Sequence, residues 1–322
     1  MTDRPREPDA AVPDGGDRPD EQRVLIVNPA SGTRSHQDQL SALAAEHGFA
    51  VRETEREGHA VDLASEAASE GASVVAAAGG DGTVNEVVEG LVAAGALDAV
   101  RFGIVPTGTG NNFAKNVGIT GLSQAFEVME RGDERTVDLG FADDRPFLNS
   151  CVGGLTAEAS RETTPEMKAD LGVVAYVLNT VRTAVDFEGT PLHIETGDAG
   201  EETWTGNAVL LLVGNGRRFP TRGQAQADME DGRFDVAIIE DTPGSNLAGL
   251  ARSTALERLL GADADYVTRL KTDRLVVSVT AEDPATFSLD GEMVTAGELT
   301  IETRPAALRL RVGDAYDPHP DS

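Results

Sequence analysis

The feature that most constrains the fold of this chain is a strand, a loop and a helix that follow one another three times in its first half. Each strand is a short apolar run, and the loops, rich in glycine or other small residues, lie at residues 28–32, 79–83 and 106–112. Alternating strands and helices predict a parallel sheet with helices on both faces. In such sheets ligands bind outside the carboxyl ends of the strands, where all three loops lie. The pattern therefore predicts one binding site built by three loops.

The elements predicted around these loops alternate regularly. The run at residues 73–78 is apolar throughout, which is typical of a central parallel strand buried on both faces. Strands are predicted at residues 24–27, 50–54, 73–78 and 102–105, and helices at residues 35–47, 59–70, 84–94 and from residue 113 onwards.

The second half of the chain has a different pattern. A long helix is predicted at residues 165–187, where apolar residues recur at helical spacing, and another at residues 245–260. Short strands separated by turns favour a β-rich domain, a sandwich, for the remainder. These strands are predicted at residues 192–195, 208–213, 234–239, 275–280, 287–289, 299–302 and 307–312. The predicted organisation is a disordered acidic tail (1–22), an α/β domain (23–140), a β-rich domain (141–313) and a short tail (314–322).

The balance of charge limits the partners of the chain. It has 55 Asp and Glu residues against 27 Lys and Arg residues, a formal net charge of -28, and only Lys115, Lys168 and Lys271 are lysines. This composition resembles that of proteins from halophiles that accumulate salt in the cytoplasm. It argues against nucleic acid as a partner, because binding to nucleic acid relies on positive charge.

We expect the stability of the protein to rise with KCl concentration into the molar range. Repulsion among the acidic side chains destabilises the folded state at low salt, and it fades when the Debye length falls to about 3 Å near 1 M salt. Thermal unfolding in a series of KCl concentrations measures this dependence. Full stability in dilute buffer contradicts the halophile interpretation.

The sequence also limits the location of the protein. No apolar run approaches the roughly 18 residues of a transmembrane helix, and the N-terminus lacks the apolar core of a signal peptide. Cys151 is the single cysteine, so an internal disulfide cannot form, which fits a reducing compartment. We therefore expect a cytoplasmic protein whose contact with a membrane is peripheral, at the inner face. A homodimer is compatible with the sequence.

The second loop has the composition of a phosphate-binding turn. Three glycines, Gly79, Gly80 and Gly82, let the backbone approach a ligand closely. The turn leads into a predicted helix, whose N-terminal N–H groups attract phosphate. Asp81 places a carboxylate where Mg²⁺ is needed to neutralise phosphate charge, and Thr83 is predicted to cap the helix. The loop matches neither the Walker motif nor the Gly-x-Gly-x-x-Gly dinucleotide motif.

Together the three loops resemble the diacylglycerol kinase catalytic superfamily, which includes bacterial soluble lipid kinases and sphingosine kinases. The resemblance rests on residues 28–32, 79–86 and 108–114 in this order and spacing, and it covers residues 24–313. It implies an α/β nucleotide domain followed by a β-sandwich domain, with catalysis in the cleft between them. The implied activity is ATP- and Mg²⁺-dependent phosphorylation of a lipid alcohol.

The resemblance also implies roles for individual residues. The nucleotide contacts would come from the three loops and from a threonine after the second strand. These residues are Asn28, Pro29, Ala30, Ser31, Gly32, Thr54, Gly79, Gly80, Asp81, Gly82, Thr83, Val84, Asn85, Glu86, Thr109 and Asn111.

Two further segments complete the implied site. The turn at residues 228–233 resembles the metal-binding turn of the family, with the Asp231 carboxylate and the backbone carbonyls of Asp228 and Arg233 as ligands, and oxygen ligands suit Mg²⁺. The sequence Asp290-Gly291-Glu292 resembles the catalytic turn of the family, with Glu292 as the proton acceptor. Asp290 and Asp81 are the other implied catalytic carboxylates.

One departure from the family keeps other functions open. The family usually has Asp where this chain has Asn112, so a carboxylate that helps to hold hydrated metal is missing here. Asp81 and Asp138 are the candidates to carry more of the metal's charge. The alternatives to a lipid kinase are a kinase of a soluble metabolite such as NAD and a nucleotide-binding regulator without turnover. The acceptor lipid is left open among diacylglycerol-like, sphingoid-like and archaeal isoprenoid alcohols.

Overall fold

The structure is a computed structural model that describes residues 21–32, 34–155, 189–197, 200, 202–218, 226–240 and 266–320. The helices predicted at residues 165–187 and 245–260 lie outside these residues, as do residues 1–20 of the predicted acidic tail.

The N-terminal half is a parallel sheet with helices, as predicted. The elements are β1 (Arg23–Val27), α1 (Arg34–Glu46), β2 (Phe49–Glu53), α2 (His59–Ser69), β3 (Val74–Gly79), α3 (Asp81–Ala93), β4 (Arg101–Pro106), α4 (Asn112–Asn116) and α5 (Leu122–Arg131). The strands lie in the order β2-β1-β3-β4, and β3 is buried along its whole length at the centre. The three loops therefore follow adjacent strands β1, β3 and β4 at one edge of the sheet.

The second half of the described chain is mainly antiparallel β-structure. The strands are β5 (Asp133–Ala142), β6 (Arg145–Phe147), β7 (Ser150–Leu155), β8 (Thr190–Thr196), β9 (Glu202–Gly214), β10 (Phe234–Glu240), β11 (Val267–Thr272), β12 (Arg274–Val279), β13 (Ala285–Leu289), β14 (Glu292–Ala296) and β15 (Glu298–Val312). Strands β9 and β8 pair with each other, β9 also pairs with β7 and β10, and β8 pairs with β12.

Strand β15 joins the two halves. Its first residues pair with β12, most of its length pairs with β5, and Leu310 reaches Phe102 of β4. The sequence predicts two strands here, but the structure has one, with a register shift between Arg304 and Leu308. The interruption contains Pro305 and Ala306, and Ala306 has a φ of 50°, so the polar gap is a bulge rather than a loop.

Two hydrophobic cores flank this connection. One lies between the parallel sheet and its helices and contains Ile26, Val75 and Phe126, and the other lies among the antiparallel strands around Phe147, Phe234 and Phe287. Within the described residues, no helix is both long and apolar enough to cross a membrane.

Candidate active site

The loops after β3 and β4 touch each other directly. The N–H groups of Thr107 and Gly108 donate to the Gly79 carbonyl oxygen at 3.1 and 3.3 Å. A Cβ atom placed on Gly108 would lie 2.4 Å from the Gly80 Cα, so only glycine allows the two backbones this approach. The two loops therefore form one continuous surface at the carboxyl edge of the sheet.

The loop after β1 joins the same surface through Asn28. The Asn28 Nδ2 donates to the Thr83 Oγ1 of α3 at 3.2 Å, and its Oδ1 accepts from the Ala30 N–H at 3.0 Å. Gly32 ends the loop with a φ of 87°, and a Cβ there would lie 3.3 Å from the Thr107 carbonyl oxygen. Thr54 lies at the same edge, because its N–H donates to Val27, the last residue of β1.

The helix after the second loop begins earlier than predicted. Gly80 is the N-cap residue, in an extended conformation, and Asp81 is already helical, whereas the sequence pattern predicts that the helix begins at residue 84. The prediction that Thr83 caps the helix is therefore wrong, and its hydroxyl instead accepts from Asn28. Since Gly80 has no side chain, the N–H groups of the first turn have no side-chain cap.

Asp81 connects the second loop to the third. Its Oδ1 accepts from the Phe113 N–H at 3.0 Å, and its Oδ2 accepts from the backbone N–H of Asn112 at 3.0 Å and from its side-chain amide at 3.4 Å. The amide of Asn112 thus donates to Asp81 where an aspartate would repel it. Asn111 closes the third loop by exchanging two hydrogen bonds with the backbone of Gly108.

Glu86 and Asn85, further along α3, differ in their hydrogen bonding. Glu86 accepts from the N–H groups of Gly58 and Ala60, both at 3.2 Å, so its carboxylate holds the start of α2. Asn85 Oδ1 and Thr107 Oγ1 are buried without a hydrogen-bond partner in the part of the chain that the structure describes. Since buried polar atoms are normally paired, these two atoms leave hydrogen-bonding capacity for a ligand beside the loops.

The segment Asp290-Gly291 is the two-residue turn of the β13–β14 hairpin. Both residues have positive φ, 49° and 99°, which is the geometry that Asp-Gly turns favour. The Asp290 carboxylate folds back onto three consecutive N–H groups, of Leu148, Asn149 and Ser150, at 2.6 to 3.1 Å. The turn is therefore fixed to the start of β7 and does not project freely.

The surroundings of Asp290 change the pKa of its carboxyl group. Burial is the main reason why the pKa of the Asp290 carboxyl is raised to about 6, and the three N–H donors oppose that rise. The negative charge of Asp81 adds to this rise.

Glu292 follows the turn as the first residue of β14. Its carboxylate forms an ion pair with Arg145 of β6, and its side chain is 61% exposed. Helix α3 packs against β6, the strand that carries Arg145. At the end of α4, the Asn116 Nδ2 donates to the Asn149 Oδ1 at 3.1 Å, which links the third loop to the segment that binds Asp290.

The turn at residues 228–233 has its carboxylates engaged by the chain itself. The Asp231 Oδ1 accepts from the Arg233 N–H at 2.9 Å, and its Oδ2 lies 3.1 Å from the Lys271 Nζ. The Asp228 Oδ1 accepts from the Glu230 N–H at 3.0 Å. Among the described residues, no group of three or more acidic, histidine or cysteine side chains is arranged to hold a metal ion. The Asp231 carboxylate, the one side-chain ligand that the family resemblance implies here, is thus engaged by a backbone N–H group and by Lys271.

The Asp138 carboxylate contacts the turn at residues 228–233, and its hydrogen bonds do not involve Asp81. This carboxylate accepts from the N–H groups of Gly232 and Ala306 at 2.7 and 2.8 Å. Burial raises the pKa of Asp138, against the two N–H donors, and the charges of Asp231 and Asp228 add to the rise.

Sequence reasoning missed several residues that shape the site. Arg145, which pairs with Glu292, is part of no motif in the sequence. The donors to Asp290 are backbone N–H groups, which no side-chain pattern reveals. Gly108 lies within the recognised third loop, but only the structure gives the reason for its glycine. Lys271 could have been singled out from the sequence, because it is one of only three lysines in the chain.

Comparison with known proteins identifies the chain as a phosphotransferase with an alcohol acceptor, of the lipid kinase class. The family of the diacylglycerol kinase catalytic domain matches residues 22–142, and that of the YegS C-terminal NAD kinase beta sandwich-like domain matches residues 149–312. The chain belongs to the diacylglycerol kinase catalytic superfamily. The predicted family and the predicted β-sandwich-like second domain are thus confirmed.

Individual relatives and solved structures are similar to this chain over most of its length. The lipid kinase YegS of Escherichia coli strain K12 is 31% identical over 296 residues, which cover 90% of this chain and 95% of the relative. A solved diacylglycerol kinase structure from Bacillus anthracis strain Sterne has a TM-score of 0.69 at 20% identity, over 92% of this chain and 98% of that chain, and shows the shared fold. Another structure from this strain has a TM-score of 0.75 at 25% identity, over 92% of this chain and 97% of that one.

Proposed function

We propose that this chain transfers the γ-phosphoryl group of ATP, bound with Mg²⁺, to the hydroxyl group of a lipid alcohol. The observation that supports this most is the hydrogen bond from the Asn116 Nδ2, at the end of α4, to the Asn149 Oδ1, because the Asn149 N–H in turn binds the Asp290 carboxylate. A nucleotide held by the three loops would then lie near the hairpin that carries the candidate base, Glu292. The lipid acceptor is supported by relatives that are named lipid kinases.

In the proposed reaction the acceptor oxygen attacks the γ-phosphorus, and the bond from that phosphorus to the bridging oxygen of ADP breaks. The proton of the acceptor hydroxyl passes to the Glu292 carboxylate. Arg145 fixes the direction of that carboxylate through the ion pair. The uncapped N–H groups at the start of α3 receive the nucleotide phosphates. Positioning and charge neutralisation are expected to account for most of the rate enhancement.

Asp81 is the residue that would hold the metal that accompanies the nucleotide. Its Oδ1 accepts one backbone N–H and keeps a lone pair for a metal-bound water, whereas its Oδ2 already accepts two hydrogen bonds from Asn112. The metal supplies neutralisation of phosphate charge. We place the protein in the cytoplasm, with peripheral contact at the inner face of the membrane where a lipid acceptor resides.

The experiment that tests this function follows labelled phosphate from ATP in high KCl. The purified chain is incubated with Mg²⁺ and separately with a diacylglycerol, a sphingoid base and an isoprenoid ether lipid that has a free hydroxyl. Label in the organic phase supports the proposal, and its loss with EDTA supports the metal requirement. Label transferred to NAD or another solute in the aqueous phase contradicts the lipid acceptor.

A second candidate is a nucleotide-binding regulator without turnover. It is favoured by Asn112, whose amide donates to Asp81 and brings no negative charge for metal. ATP binding without transfer to any acceptor supports this candidate.

We expect Gly82→Ala to keep or raise stability while it lowers nucleotide affinity about tenfold or more, which is about 1.4 kcal/mol. Gly82 lies in the first turn of α3 without a positive φ, and a Cβ there meets no protein atom within 4 Å. Nothing in the protein therefore requires glycine, and alanine in a helix adds about 0.5–1 kcal/mol of stability. A bound phosphate, however, would meet the new methyl group. Thermal unfolding and titration with an ATP analogue measure the two effects.

Gly297→Ala is the matched control for this variant. It also places a Cβ where no protein atom lies within 4 Å, but outside the three loops, so both stability and affinity are expected to stay unchanged. If Gly82→Ala binds the analogue as tightly as the control does, the second loop does not contact the phosphates.

A further inference from the structure

We propose that the ammonium group of Lys271 takes the place of a divalent cation at the turn of residues 228–233, so that this turn is closed without a metal ion. The inference concerns the second domain and does not depend on the acceptor of the reaction. It follows from the contacts of the carboxylates in and around the turn.

Lys271 is placed at the turn by strand pairing. On β11 it lies directly opposite Asp235 of β10, the strand into which the turn leads. Its Nζ lies 3.1 Å from the Asp231 Oδ2 and 3.7 Å from the Asp235 Oδ1. One positive group thus bridges two carboxylates, which is what a bound cation does at such a turn.

Several other carboxylate oxygens around the turn already accept backbone N–H groups. Asp231 uses its second oxygen for the Arg233 N–H, Asp228 accepts from Glu230, and both oxygens of Asp138 accept backbone N–H groups. A divalent ion needs six or more oxygen ligands, in part from water, and usually at least one carboxylate oxygen. To gain the Asp231 Oδ2 it must displace a lysine whose charge repels it.

The residue type at position 271 also fits this role. The chain uses arginine for nearly all its basic positions, with three lysines among 27 basic residues. An ammonium group is a compact point charge with three donors, whereas guanidinium is a planar fork. The side chains of Lys271 and Asp231 are 37% and 26% exposed, so the pair is partly shielded from solvent.

The test compares thermal unfolding of the nucleotide-free chain, at constant high KCl, with EDTA, MgCl2 or CaCl2. The wild type is expected to unfold at the same temperature in all three. Lys271→Met is expected to unfold earlier in EDTA and to gain roughly 5 °C or more at a metal concentration about 100 times its Kd. The double variant Lys271→Met with Asp231→Asn is expected to lose that gain, because the carboxylate ligand is gone. Lys271→Arg keeps the charge and is expected to stay insensitive to metal.

Two outcomes overturn the proposal. The first is a wild type that is destabilised by EDTA or that binds Mn²⁺ at Asp231 in anomalous diffraction, a measurement that needs no variant. The second is a Lys271→Met protein that folds but gains nothing from either metal. Phosphate transfer is not a readout here, so failure of this inference is distinct from failure of the proposed function.

Discussion

Replacement of Glu292 by glutamine is expected to lower kcat by roughly 10²–10⁴-fold while the KM for ATP changes little. Glutamine keeps the shape of the side chain but cannot accept the proton of the acceptor hydroxyl. In the proposed function the nucleotide contacts come from the loops after β1, β3 and β4, so ATP binding is expected not to depend on Glu292. Initial rates at saturating lipid, over a range of ATP concentrations, give kcat and KM separately.

Glu70→Gln provides the matched control for this prediction. Glu70 is 52% exposed and forms an ion pair with Arg52 at the end of α2, away from the turn that carries Glu292. Because exposed ion pairs contribute only about 0–1 kcal/mol, both variants should unfold near the wild-type temperature. A Glu292→Gln enzyme with near wild-type turnover contradicts the assignment of the base.

The parallel sheet was predictable because its centre is apolar at every position. Strand β3 is buried at each residue, so its composition alone indicates its place. Helix α5 was not predicted separately from the helix expected from residue 113 onwards, although Phe126 and Met129 on one of its faces are buried. The polar gap in β15 was predicted to separate two strands, whereas pairing with β5 on both sides of the gap keeps it one strand.

The parts of the candidate site that lie within sequence motifs could be predicted, whereas the contacts between segments far apart in the chain could not. The backbone contact of Gly80 with Gly108 lies within motifs that the sequence displays. The Asp-Gly-Glu turn, in contrast, is compatible with a surface hairpin, and it has the geometry of one. Its connection to the site depends on N–H groups about 140 residues earlier in the chain, which carry no side-chain signal. Only the three-dimensional fold brings these segments together.

Asp290→Asn is expected to destabilise the protein and to lower kcat as well. Three N–H groups point at the two oxygens of Asp290, so the amide of asparagine sets a donor against a donor. A buried N–H left without an acceptor costs about 1–3 kcal/mol. The hairpin that carries Glu292 is then displaced, and turnover falls with it. Thermal unfolding and steady-state kinetics measure the two losses.

The pH dependence of this variant gives a second, independent result. The pKa of Asp290 in the folded protein, about 6, lies above its ordinary value of 3.8. The folded state therefore keeps the proton longer than the unfolded chain does. The contribution of this proton to stability is present below about pH 4 and is lost as the pH rises through about 6. Asparagine does not ionise, so the difference in unfolding free energy between wild type and Asp290→Asn should fall over this range.

Asp143→Asn is the control for Asp290→Asn. It shows whether replacing an aspartate in another turn has the same effects on stability and turnover. Asp143 also has a positive φ, 51°, in the turn before β6, but it is exposed and accepts a single backbone N–H, from Thr300 at 3.1 Å. Because asparagine tolerates this conformation, its stability and turnover should match the wild type. If Asp290→Asn behaves in the same way, Asp290 does not hold the hairpin. If it loses stability and kcat together while Glu292→Gln loses kcat alone, Asp290 positions the turn and Glu292 acts on the substrate.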